Sequence, residues 1–137
     1  MDYKKPVLAV LFGGLAIQIV SMATNWLINI VWPYDVAMLG GVRALTDPIM
    51  ILFLLHPWVL AIAMLCIYQH VKLSKGDYVK QGMEVGKLMW AVYALPSAFI
   101  VFTSMDYPFG FTVQSVIGSL LYFKAGGIAL VKLMECC

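Results

Sequence analysis

The sequence predicts an all-α integral membrane protein, a four-helix bundle with both termini cytoplasmic. Three observations point there. Hydrophobic residues make up 63% of the 137 positions and charged residues 12%, against about 45–50% and about 25% in soluble domains. A chain this short has too little interior to hide that excess, so lipid is its natural solvent. Four segments are each apolar over roughly the 20 residues that a spanning helix needs. Lys and Arg gather in alternate loops, which sets the direction of threading.

The first expected span is Pro6 to Trp32. Its basic head, Lys4 and Lys5, and the apolar run behind it resemble a secretory leader. The run is too long for a leader's apolar core, however, and long enough to cross a bilayer. Pro33 then lets the chain leave the helix. The second span is Pro48 to about Val71, with Thr46-Asp47-Pro48 as its cap and first-turn proline. Ser74-Lys75-Gly76 reads as an exit with glycine at the helix end. The third span is about Val85 to Met105 and the fourth Pro108 to about Val131. The turn between them, Asp106-Tyr107-Pro108, is so short that the two helices must be antiparallel neighbours. The whole chain, 1–137, reads as one transmembrane domain, since the segments outside the spans are too short to fold separately.

Lys4, Lys5, Lys72, Lys75, Lys80 and Lys132 fall on one side of this topology, with Lys87 just inside the third span. Arg43 is the one basic residue on the other side. The bias places the lysine side in the cytoplasm, and Lys124 can extend its ammonium towards that face. Trp32, Tyr34, Tyr107 and Phe109 mark the far interface. The expected location is a prokaryotic cytoplasmic (inner) membrane.

Along the first helix, Gln18, Ser21, Asn25 and Asn29 fall on one arc of about 80° at 100° per residue, together with Gly14 and Trp32. Val, Leu, Ile, Met and Phe cover the opposite face. Polar side chains in lipid face a partner, so this stripe either joins helices or lines a path. In the fourth helix, Ser115 and Ser119 form one small-xxx-small pair, and Gly118 and Gly126 flank Tyr122. Such spacing lets helix backbones approach closely, so these four residues are the expected packing face. Gln114 lies nearby. Pro96, in the middle of the third span, removes one helical hydrogen bond and frees the Val92 carbonyl.

His56 and His70 share a face of the second span about 21 Å apart at 1.5 Å per residue. That spacing resembles the paired haem-ligand histidines of diheme b-type cytochromes. A second helix with matching histidines would have to come from another copy or subunit. Otherwise His56 bonds to the polar interior and His70 faces water.

Several function classes are disfavoured. A net charge of +2 with scattered basic residues does not suit nucleic acid. No Asp or Glu lies in a span core, whereas ion-coupled pumps, the small multidrug exporters among them, carry one. No GxSxG, HExxH, phosphate-binding or dinucleotide-binding motif occurs. Cys66, Cys136 and Cys137 form no CxxC and no Cys/His cluster, so neither a metal site nor a thiol–disulfide enzyme is indicated. The Arg/Asn/Glu cluster of glutathione-transferase-like membrane enzymes is also missing.

The stretch Gln81 to Leu133 resembles the second half of certain small prokaryotic four-span proteins of unassigned function. In these a glycine-rich entry leads to a proline-centred span, a short turn and a Gly/Ser span. Gly82, Gly86, Pro96, Gly118 and Gly126 carry the likeness. It implies the topology and no activity.

Three functional expectations follow. The first is a non-enzymatic accessory or scaffold subunit of a larger membrane complex, without cofactor, holding bound lipids and meeting other membrane subunits or itself. The second is a small homo-oligomeric channel or carrier for a neutral solute, lined by Gln18, Ser21, Asn25 and Asn29. The third is a b-type haem electron-transfer subunit using His56 and His70.

Overall fold

The computed structural model describes residues 3 to 136; Cys137 and the side chain of Cys136 lie outside the described residues. It is all-helical. Helix α1 is Lys4–Val31. A 3₁₀ turn, Val36–Met38, and an irregular loop lead to α2, Met50–Leu54, and α3, His56–His70. Helix α4 is Tyr78–Ser104 and α5 is Phe109–Glu135. Only α1, α4 and α5 are long and apolar enough, among the described residues, to cross a membrane.

The expected second span, Pro48 to Val71, is therefore not one helix. It breaks at Leu55 into α2 and α3. Pro57 is the physical reason. It has no N–H to close the bond to the Phe53 carbonyl, and its ring crowds that turn. Instead the turns on either side close over three residues: Leu55 N–H donates to Leu52 O at 3.0 Å and Trp58 N–H to Leu55 O at 3.0 Å. The 15 residues of α3 span about 22 Å, short of the roughly 30 Å hydrocarbon core.

Helix α1 stops where Pro33 forbids another turn; Trp32 leaves the helical region while its N–H still reaches Ile28 O. Helix α4 begins at Tyr78, two turns before the expected Val85. Asp77 caps it, its carboxylate accepting from Lys80 N–H at 3.0 Å, which satisfies one of the free amides of a helix start. Glu84 reaches back to accept from Ser74 N–H at 2.9 Å, so the connecting loop is folded onto these first turns. Pro96 does more than kink α4. The turn before it widens into a π segment, Trp90–Ala94, in which Leu95 N–H donates to Trp90 O. A second π segment, Gln114–Gly118, lies in α5.

Helix α5 is the centre of the bundle, antiparallel to both α1 and α4. Phe123, Leu130 and Val131 of α5 are fully buried, with Ile17 and Ala9 of α1, Met64 and Ala61 of α3, and Val85 of α4 around them. The ends bearing Lys4, Lys72, Lys80 and Lys132 gather together, and Lys132 Nζ lies 5.6 Å from the Tyr78 ring centre.

Helix α3 covers only the half of the bundle nearest that lysine-bearing end. Trp58, in its first turn, seats its ring on Gly14 and donates from Nε1 to Leu11 O at 3.2 Å. On the other side His56 is level with Tyr93, midway along α4. The bundle is thus four-helical near its lysine end. Towards the opposite end it is three-helical, with α2 and the 32–49 loop beside it.

Candidate functional site

The polar residues of α1 divide into two groups. The first holds the helix exit. Asn29 Nδ2 donates to Asn25 O at 2.9 Å, and its Oδ1 accepts from Tyr34 N–H at 2.9 Å. Tyr34 Oη donates to Asn25 Oδ1. Both amides thus fasten the Trp-Pro-Tyr turn back onto the last turns of α1. The Tyr34 ring also meets Phe111 edge-on, with ring centres 5.9 Å apart. Burial pushes the Tyr34 phenol pKa above its ordinary value, because the phenolate loses water.

The second group joins α1 to α5. Gln114 Nε2 donates to Thr24 Oγ1 at 3.1 Å and lies 3.3 Å from Ser21 O. Its carboxamide lies over Gly118, where a Cβ would come within 2.2 Å of Gln114 Oε1. Gly118 therefore makes room for the clamp. Ser21 takes part through its carbonyl, and Thr24 is buried. Gln18 is half-buried and its side chain forms no hydrogen bond among the described residues. Interhelical bonds of this kind contribute about 0.6–1.7 kcal/mol in membranes. Gln114 Oε1 is itself buried without a partner, which offsets part of that. Gln114→Leu should therefore lower stability by about 1 kcal/mol or less, read as a small fall in the thermal midpoint in detergent.

Of the expected packing face, Gly126 meets α1, its position filled by Ile17. Ser119 is buried and donates to Ser115 O at 2.6 Å, and Ser115 donates to Phe111 O at 2.8 Å. Trp90 Nε1 donates to Val116 O at 2.8 Å, so each π segment is joined to the other. The tightest helix crossing lies elsewhere, between α4 and α5. A Cβ on Gly82 would sit 2.4 Å from Ile128 Cα, one on Gly86 2.4 Å from Phe123 O, and one on Gly127 2.1 Å from Gly82 O. The signal in the sequence was Gly82-xxx-Gly86, the helix-association spacing itself.

His56 and His70 are the first and last residues of α3. His56 Nε2 is 3.3 Å from Tyr93 Oη, and its ring stacks on Phe53. His70 Nδ1 bonds to Cys66 O one turn back. No group of three His, Cys, Asp or Glu comes together among the described residues.

His56 and Tyr93 border a cleft of about 220 Å³ between α3, α4 and α5. Ser97, Val101, Phe111, Ser115 and Tyr122 are among its other walls, and no residue of α1 contributes among the described residues. Beside it, α2 and the break that follows carry a bare apolar surface: Ile51, Leu52, Phe53, Leu54 and, at the break, Leu55 are 52–66% exposed, and α2 buries no residue. In the loop before α2, the Ile49 N–H and then the Arg43 guanidinium, 2.9 Å away, hold the Asp47 carboxyl below the ordinary aspartate value. Tyr107 Oη donates to Gly40 O at 2.8 Å, tying this loop to the α4–α5 turn.

Comparison with protein-family models, with curated proteins and with solved structures gives no match.

Proposed function

We infer that this chain is a non-enzymatic docking subunit of a membrane protein complex. It would lie in a prokaryotic cytoplasmic membrane with the lysine-bearing end inward, as the positive-inside bias indicates. The observation that carries the reading is α2. Its helix is interrupted at mid-depth of the bundle, level with Tyr93 on α4. The break itself is closed by three-residue turns at Leu55 and Trp58, and no residue of α2 is buried within the chain. In water the same five apolar side chains would form a patch of the kind that marks an interaction site. Another membrane subunit or a second copy would cover this surface.

The channel reading draws less support. Asn25 and Asn29 bond within their own helix exit, and Gln114 occupies the middle of the stripe. Amides so engaged offer a solute few free partners.

The mass of the particle extracted in a mild detergent tests the docking reading. A discrete assembly heavier than one 15.2 kDa chain plus its detergent is expected. A homogeneous single chain would overturn it.

A further inference from the structure

The cleft between α3, α4 and α5 has the features of a small-molecule site. Its volume of about 220 Å³ exceeds the roughly 150 Å³ at which an apolar cavity already admits benzene. It falls below the roughly 300–1,000 Å³ of drug-sized pockets. One ring system fits. Tyr93, Phe111 and Tyr122 present aromatic walls, and no charged side chain lines the cleft, so an ion has no counter-charge there.

The polar lining is selective. The Ser115 hydroxyl proton is spent on Phe111 O, and Tyr93 and His56 lie against each other. Ser97 and Tyr122 line the same cavity, and their hydroxyls have no hydrogen-bond partner among the described residues. Ser97 is exposed and Tyr122 half-buried, and in lipid an O–H donor left without an acceptor is costly. Two such donors facing one apolar, ring-sized space call for a neutral acceptor oxygen.

We propose that this cleft binds a neutral, ring-bearing carbonyl compound from the lipid phase. The ring would lie between the aromatic walls, and its carbonyl would accept from Ser97 and Tyr122. The cleft adjoins the α2 surface at His56, whose ring stacks on Phe53, but no α2 residue lines it, so the proposal does not require a partner on α2.

Acetophenone is a suitable probe, being a neutral one-ring aryl ketone that inserts into nearby C–H bonds under ultraviolet light. The purified assembly is irradiated at increasing acetophenone concentration, and labelled peptides are mapped by mass spectrometry. Saturable labelling within residues 93–101 and 111–122 is expected. Ser97→Leu, which fills the cleft, should abolish it. Tyr122→Phe, which keeps the volume, should weaken half-saturation about 3- to 10-fold, as loss of one hydrogen bond does. Should Ser97→Leu fail to fold, Ser97→Ala combined with Tyr122→Phe serves, its fold checked by circular dichroism. Labelling spread over outward residues of α1 such as Phe12 and Met22, without saturation, would overturn the proposal. So would saturable cleft labelling that is indifferent to the loss of both hydroxyls.

Discussion

Gly86→Ala should lower the thermal unfolding midpoint in detergent by several degrees, and Gly127→Ala by at least as much. A methyl at Gly86 would meet the Phe123 carbonyl and the Lys124 Cα, 2.4 and 2.7 Å away. One at Gly127 would meet the Gly82 carbonyl at 2.1 Å. These obstacles are backbone, so no rotamer change relieves them, and α4 and α5 must move apart. Alanine has better helix propensity by roughly 0.5–1 kcal/mol, but overpacking a fitted interior costs about 1–3 kcal/mol. The second effect wins, and for a chain of this size each kcal/mol shifts the midpoint by a few degrees. Gly40→Ala is the control. Nothing lies within 4 Å of its added methyl, and its midpoint should not move. An unchanged midpoint for Gly86→Ala would mean that the two helices cross elsewhere.

The second large effect is expected on assembly rather than on folding. Leu52→Asn with Phe53→Asn places two amides on the bare surface of α2. Both side chains are more than half exposed in the single chain, so the bundle core loses no contact. Helicity and thermal midpoint of the detergent-solubilised chain should stay near wild type. If α2 is covered by a partner, burying two amides without partners there costs about 1–3 kcal/mol each. The partner's affinity should fall by about 30-fold or more, and the particle should shrink towards one chain. Ile19→Ala with Met22→Ala, on the outward face of α1, should leave the particle size unchanged.

Much of the topology was legible because proline and helix caps act locally. Pro33 ends α1 within a residue of where the sequence indicates. The short Asp106-Tyr107-Pro108 turn makes α4 and α5 the antiparallel pair with the tightest crossing. The start of α4 was misplaced because hydropathy outweighed the cap: Lys80, Gln81 and Glu84 look like loop, yet Asp77 and the Ser74–Glu84 bond make them helical. The break at Leu55 was foreshadowed by Pro57. Its depth was not, since that depends on Trp58 lodging against Gly14, a contact between residues 44 apart in sequence.

The site shows the same division. Helical periodicity placed Gln18, Ser21, Asn25 and Asn29 on one face of α1. It could not say that Tyr34, beyond the proline, would fold back onto Asn25. Nor could it say that Gln114 would reach across to Thr24 through space left by Gly118. Those are tertiary facts, written in the sequence only as one amide in α5 and one glycine a turn later. The cleft was wholly hidden, because it exists where α3 stops short and α4 and α5 continue.

The docking role turns on what covers α2 in the membrane. A photo-reactive phenylalanine derivative placed at Leu52 reports this directly when native membranes are irradiated, with Met22 on the outward face of α1 as the lipid-facing reference. A protein adduct of one discrete mass from position 52, and none from position 22, is the expected result. Lipid adducts alone from both positions would contradict it.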